Sequence, residues 1–496
     1  MSYQTLAAVD LGSNSFKLQV ARVQGEQLYL LDALKEPVRL AAGLDKKKRL
    51  DLDSQQRSIE CLKRFSERLR GLSPEAVRCV GTSALRVAKN ASEFLDQAEQ
   101  ALGFPIEIIA GREEARLIYL GVVHSLPASS NRRLVVDIGG GSTECIIGAG
   151  LKQQSRESLL MGCVNFSMRF FPNGRIEKSA MKEAELEARL IAQSVEADFS
   201  RGNWDEAIGS SGSIRAVADL IEANGWGSGI TADGMAKVRE ALLKAGHADK
   251  LELPGMRVDR RPVIAGGYAI LSGLFSELGI QSMVPAAGAL REGILYDLLG
   301  RISDQDMREV TVAEFARRYH VDEKQSARVE KLALQLFNGI APKNEAEKEE
   351  SRRFLSWSAR LHEIGISIAH SSYHKHSAYI LENADMPGFS RTDQEHLALL
   401  ARAQRGALTK VPQFSFESDQ TVSEWDSLLI WMLRQAVILC RNRSEPGLSE
   451  AAVEMTSKGY RLRLPKGWLE SNPLTRLALE DEAAYWNAVG VSCQYE

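Results

Sequence analysis

Two stretches of the chain share one order of apolar and polar positions. Ala7-Ala8-Val9 leads into Asp10, Leu11-Gly12-Ser13-Asn14-Ser15 turns the chain, and Phe16 to Val20 is apolar at alternate positions. Leu134-Val135-Val136 leads into Asp137, Ile138-Gly139-Gly140-Gly141-Ser142 turns it again, and an apolar run follows from Cys145 to Ile147. Each predicts strand, turn, strand. After the first hairpin the pattern predicts a strand at 28–31, a helix at 54–69, a strand at 77–80, a helix, and a strand at 106–109. After the second it predicts a helix at 178–196, a short strand at 206–209, then further helices. This is a hairpin-first α/β unit in tandem, two lobes (1–124 and 125–302) that meet in a cleft. From about 310 to 400 amphipathic helix follows helix, giving a helical domain at 303–405, with a polar stretch at 338–350 that reads as a loop or a solvated helix start. Residues 406–496 combine a helix at 425–441, a strand at 460–464 and a helix at 476–486. They read as a small α+β module or an extension of the helical domain.

The 496 residues are enough for two to four domains, and composition is that of an ordinary globular chain. Sixty-two Lys and Arg against 65 Asp and Glu leave a net charge of -3, which argues against a general nucleic-acid binder. Six cysteines occur, none at metal-ligand spacing, so the expected compartment is a reducing cytoplasm. A strand begins almost at once, with no apolar leader, and no run of about eighteen apolar residues predicts a membrane span.

Three consecutive glycines after a strand-ending Asp weaken a strand without filling a core. Such a turn lets an anion approach backbone N–H groups, and Asp137 and Glu144 offer hard oxygen ligands for Mg²⁺. In the first hairpin Ser13, Asn14 and Ser15 supply hydroxyl, amide and N–H donors to phosphate. Gly111-Arg112-Glu113-Glu114 opens a helix at the lobe junction. An acidic residue there caps the helix dipole or takes a proton from a water attacking a phosphate. Gly209-Ser-Ser-Gly212-Ser213-Ile-Arg215 is a phosphate-facing turn or a Ser-capped helix start. Arg86, after Gly81-Thr-Ser-Ala-Leu, is a phosphate clamp or a solvated side chain. Five of the eight histidines lie between His362 and His396. His362-Glu363 lacks the HExxH spacing, and Gln325 and Ser326 stand where an upstream ligand is needed. A structural cluster or a polyanion-facing surface fits better than a metal centre.

Together with Gly288-Ala-Leu-Arg291-Glu-Gly-Ile-Leu-Tyr296, these segments resemble the exopolyphosphatase and guanosine-pentaphosphate phosphohydrolase family, over essentially the whole chain. The resemblance implies two ribonuclease-H-like lobes of the actin, Hsp70 and sugar-kinase superfamily, then an all-α HD-like domain and a small C-terminal module. It implies Mg²⁺-dependent hydrolysis of the terminal phosphate of inorganic polyphosphate, with Glu114 as the base that activates water and Asp137 and Glu144 on the metal. Asp10, Ser13, Asn14, Ser15, Arg86, Gly139, Gly140, Gly141, Ser142, Gly212 and Ser213 would surround the phosphates. His374, Lys375 and His376 would line a basic channel for the polymer, usually in a homodimer. The same chemistry on guanosine 5′-triphosphate 3′-diphosphate (pppGpp) is the nearest alternative, and Ile368-Ala-His-Ser-Ser-Tyr-His-Lys-His376 resembles the polyphosphatase branch more. An ATP-using kinase on the same scaffold and a non-catalytic phosphate-polymer sensor are more distant ones.

Overall fold

The structure is a computed structural model that describes residues 5–24, 27–127, 129–302, 306–340, 345–414, 422–448 and 450–496. Two compact units divide between Asp306 and Met307. The expected boundary at 302/303 falls on 303–305, outside the described residues, as do 341–344 of the polar stretch.

In the first unit, β1 (Thr5–Leu11), β2 (Phe16–Gln24), β3 (Gln27–Glu36), β4 (Val77–Gly81) and β5 (Ile106–Ile108) form a sheet of order β3-β2-β1-β4-β5. A second sheet holds β6 (Arg132–Ile138), β7 (Thr143–Ala149), β8 (Lys152–Leu159), β9 (Glu206–Ser210), β10 (Ile230–Thr231) and β11 (Ser282–Pro285), in the order β10-β11-β9-β6-β7-β8. Read from its other edge, β8-β7-β6-β9-β11 repeats the first sheet, with β10 added antiparallel to β11. In each sheet two antiparallel pairings precede two parallel ones. Each also carries a register shift at the same place, after Val20 and after Ile147. These are two ribonuclease-H-like lobes. β1 and β6 are buried along nearly their whole length, which is why they read as unbroken apolar runs.

The Gly111–His124 helix and the Leu290–Ile302 helix join the lobes through a core that includes Leu6, Val80, Leu117, Val135, Ile146 and Ile294. Their backbones touch. A Cβ at Gly293 would stand 1.7 Å from the Leu117 carbonyl oxygen, so only glycine permits this crossing. A buried ion network reinforces it. Asp297 accepts from Arg78 Nη1 at 2.6 Å and Arg301 Nε at 3.0 Å and pairs with Arg116, which grips Glu113 at 2.8 Å.

In the second unit, helices Met307–Arg318, Glu323–Asn338, Glu345–Leu361, Tyr373–Asn383, Arg391–Ala403 and Glu424–Leu439 pack with Pro473–Asn487 and a sheet of order β12-β13-β14. These strands are β12 (Ala452–Thr456), β13 (Gly459–Arg463) and β14 (Ser492–Tyr495). One hydrophobic core runs from Val312 to Cys493. Residues 406–496 therefore share one core with the helices before them. The reason is the Glu424–Leu439 helix, apolar around most of its circumference, which buries Leu428 to Ala436 at the centre.

Candidate active site

The site begins as a row of cross-strand neighbours. Asp137 on β6 registers with Ser210 on β9 and with Glu144 on β7, and Glu144 registers with Ser158 on β8. The first sheet has the matching row Asp10, Lys17, Lys35 across β1, β2 and β3. Directly opposite residues share a sheet face, so each hairpin presents its Asp beside a second charged group. Lys17 Nζ donates to Asp10 Oδ2 at 3.1 Å.

The two turns meet. A Cβ at Gly140 would lie 3.0 Å from Ser13 Cβ and 3.1 Å from the Asn14 nitrogen, and one at Gly141 would lie 2.7 Å from Ser83 Oγ. The turn carbonyls are tied elsewhere. Gly139 and Gly140 accept from the N–H groups of Cys163 and Val164 at 2.9 and 3.0 Å, while Ser13 and Asn14 accept from Ala41 and Arg39. The N–H groups of Gly140 and Gly141 donate to no described protein atom, which leaves them available to an anion.

A cavity of about 220 Å³ lies between the turns. Asp10, Ser13, Asn14, Ser15, Glu114, Asp137, Gly139, Gly140, Gly141, Ser142, Gly212 and Ser213 all line it. Sequence reasoning missed most of its cations. Lys17, Lys35, Arg257 and Arg260 are on the wall together with Arg215 and Arg291. Lys35 of the first lobe also donates to Asp259 of the second at 2.9 Å, and Asp259 accepts from Arg257 at 3.2 Å. Gly212 is tight against Arg260, whose guanidinium carbon and two terminal nitrogens would lie 2.1–2.8 Å from an added Cβ. Ser211, also on the wall, holds φ +87°, the kind of backbone strain that clusters at functional sites.

Glu113 and Glu114 part company. Glu113 turns into the ion network beside Arg116, whereas Glu114 faces the cavity. Arg86 is not on the wall. Its Nη1 donates to Glu114 Oε2 at 2.7 Å and to the Ile109 carbonyl at 3.0 Å, so the expected phosphate clamp is instead the partner of Glu114. Glu144 also stands behind the wall, accepting from Ser158 Oγ at 2.8 Å. Burial pushes the Glu114 carboxyl above the usual range, against the pull of Arg86, with Asp10 and Asp137 adding to the rise. Burial raises Asp137 too, opposed by Ser210 and Lys17. Glu144 is raised well above its usual value, by burial first and then by Glu114 and Asp137.

Among the described residues no three His, Cys, Asp or Glu side chains converge as a ready-made metal cage. Asp10 Oδ1 and Glu144 Oε2 are nevertheless buried without a hydrogen-bond partner. That donor set suits a hard cation held by one or two carboxylates and completed by phosphate oxygens and water.

In the second unit His362 is buried, with Nδ1 2.7 Å from the Ala359 carbonyl oxygen. Arg443 bridges Glu363 at 2.8 Å and Asp322 at 2.9 Å, and Gln325 donates to the Cys440 carbonyl at 2.8 Å. A guanidinium thus lies between these two acidic groups. Lys375 is exposed and His374 and His376 are half-buried. Burial, then Arg405, Lys375 and Arg402, bring the His374 imidazole down to about 4.

Residues 19–302 match the Ppx/GppA phosphatase family, and residues 307–483 match Ppx/GppA phosphatase, domain III. The chain is also 36% identical over 485 residues to the guanosine-5′-triphosphate,3′-diphosphate pyrophosphatase of Aeromonas hydrophila subsp. hydrophila, covering 98% of this chain and 97% of that one. The chain belongs to the Ppx/GppA phosphatase family. Solved structures share its fold over part of the chain. An exopolyphosphatase from Cytophaga hutchinsonii superposes with TM-score 0.55 at 22% identity, over 60% of this chain and 98% of the other. The Aquifex aeolicus PPX-GPPA enzyme superposes with TM-score 0.50 at 26% identity, over 59% and 99%. As a Ppx/GppA phosphatase the chain is a hydrolase. No helix among the described residues is long and apolar enough to cross a membrane.

Proposed function

We propose that the protein hydrolyses the terminal 5′-phosphate of pppGpp. The observation that carries this reading over polyphosphate is the extent of the Aeromonas relative, which spans 98% of this chain and so both units, whereas the structure bearing the exopolyphosphatase name covers 60% of it. The expected lean toward polyphosphate, drawn from residues 368–376, has no such support.

In this reading the phosphate chain lies between the two turns, its oxygens on the N–H groups of Gly140 and Gly141 and the donors of Ser13, Asn14 and Ser15. Glu114 takes the proton of the attacking water, and Arg86 holds that carboxylate in place and favours its ionised form. Asp137 and Glu144 would hold Mg²⁺, which when bound supplies positive charge to offset that on the phosphate oxygens. Lys17, Arg215 and Arg291 supply further charge from the wall.

The second reading, polyphosphate, draws on the cations around His374 in the second unit. Orthophosphate release from both substrates separates the two. The proposal expects kcat/KM for pppGpp to exceed that for long-chain polyphosphate by about tenfold or more, the 1.4 kcal/mol of one good specificity contact. A preference of that size for polyphosphate overturns it.

A further inference from the structure

We infer that Ser158 and Gly111 form a positioning pair that sets the distance between Glu114 and Glu144, an inference that rests on the reading of these two glutamates as working groups of one site. Ser158 ends the row that starts at Ser210, and its hydroxyl donates to Glu144 Oε1 at 2.8 Å. The other carboxylate oxygen, Oε2, is buried, and beside the Ser142 side chain that also favours this carboxylate, the Ser158 hydroxyl is the donor that fixes how it is turned. The same side chain is the stop on which the Gly111–His124 helix rests. A Cβ at Gly111 would lie 2.6 Å from Ser158 Cβ and 2.7 Å from its Oγ, closer than carbon atoms approach. Glu114 stands three residues further along that helix, one turn from the contact. Arg86 closes the loop, with Nη2 3.8 Å from the same Cβ position and Nη1 on Glu114. One serine thus orients one glutamate through its hydroxyl and places the other through its bulk.

The two roles separate by mutation. Ser158→Ala keeps the bulk at Cβ and removes the donor. Gly111→Ala keeps the donor and drives the helix start off the strand. Orthophosphate release is measured from both pppGpp and long-chain polyphosphate, so that the result does not depend on which one the enzyme prefers. Ser158→Ala is expected to lower kcat about tenfold with KM within about twofold, the usual cost of losing a group that orients a ligand-bearing carboxylate. Gly111→Ala is expected to lower kcat by roughly 30- to 100-fold, since a misplacement near 1 Å costs that much. Adding Ser158→Gly to Gly111→Ala removes the clash and is expected to return kcat to the level of Ser158→Gly alone. A purely structural contact would instead lower thermal stability in step with activity and show no rescue. Wild-type kcat in Ser158→Ala, or a double variant no faster than Gly111→Ala, overturns the inference. If Gly111→Ala does not fold, Ser158→Ala and its kcat against KM decide alone.

Discussion

At the scale of single residues, Glu114 and Arg86 act as one unit. Burial lifts the Glu114 carboxyl, and the guanidinium 2.7 Å away holds it back. A base whose pKa is raised loses its ionised form at higher pH than an ordinary glutamate, near 4.3. The acid limb of kcat/KM is therefore expected above that value. Removing the opposing charge in Arg86→Gln is expected to move the limb further up in pH, because the protonated form then loses its competitor. Initial rates across pH for the two proteins check this, and a limb that stays in place or moves down contradicts it. Both residues were visible in the sequence, but their relation was not. Arg86 lies 28 residues before Glu114, and no local pattern says that a strand-to-helix turn will aim it at a carboxylate instead of a phosphate. Glu113 and Glu114 look alike in sequence too. Only the helix angle over the sheets separates a network ion from a cavity ion.

At the scale of elements, the hairpins were legible because each ends an apolar run with Asp and turns on glycine. The neighbouring strands were less so. Lys152–Leu159 has almost no apolar alternation, since it is an edge strand with one face wet, and with it went any sign of Ser158. β3 extends five residues beyond its expected end, which is how Lys35 reaches the wall unannounced. The helix pair between the lobes carries a prediction of its own. Burial alone would raise the Asp297 carboxyl, but Arg116, Arg78 and Arg301 more than reverse this and hold it well below the usual range. A depressed carboxylate contributes stability above its unfolded pKa, about 3.9, and loses it as pH falls toward the folded value. Asp297→Asn is expected to cost about 3 kcal/mol near neutral pH, the lower end for unpairing a buried ion. The gap to wild type is expected to narrow below about pH 4. Thermal unfolding of both proteins over pH 3–7 measures it. A gap independent of pH means that packing, not charge, is what Asp297 supplies.

At the scale of the whole molecule, duplication makes the chemistry possible. One ribonuclease-H-like lobe offers an Asp flanked by lysines, the other an Asp flanked by a glutamate and two serines, and the copies face each other across a single cavity. The tandem repeat was plain in the sequence. The unity of residues 307–496 was only one of two open readings, because short helices and a small sheet read separately until the Glu424–Leu439 helix is seen at the centre of them all. The central claim is that Glu114, held over the facing turns, activates the water that cleaves a bound phosphoanhydride. Glu114→Gln tests it most directly, in one experiment that follows both pppGpp binding by calorimetry and orthophosphate release. The account predicts a dissociation constant within a few-fold of wild type and a kcat lower by about 10²–10⁴, the range of a general base. Turnover near the wild-type rate would contradict it.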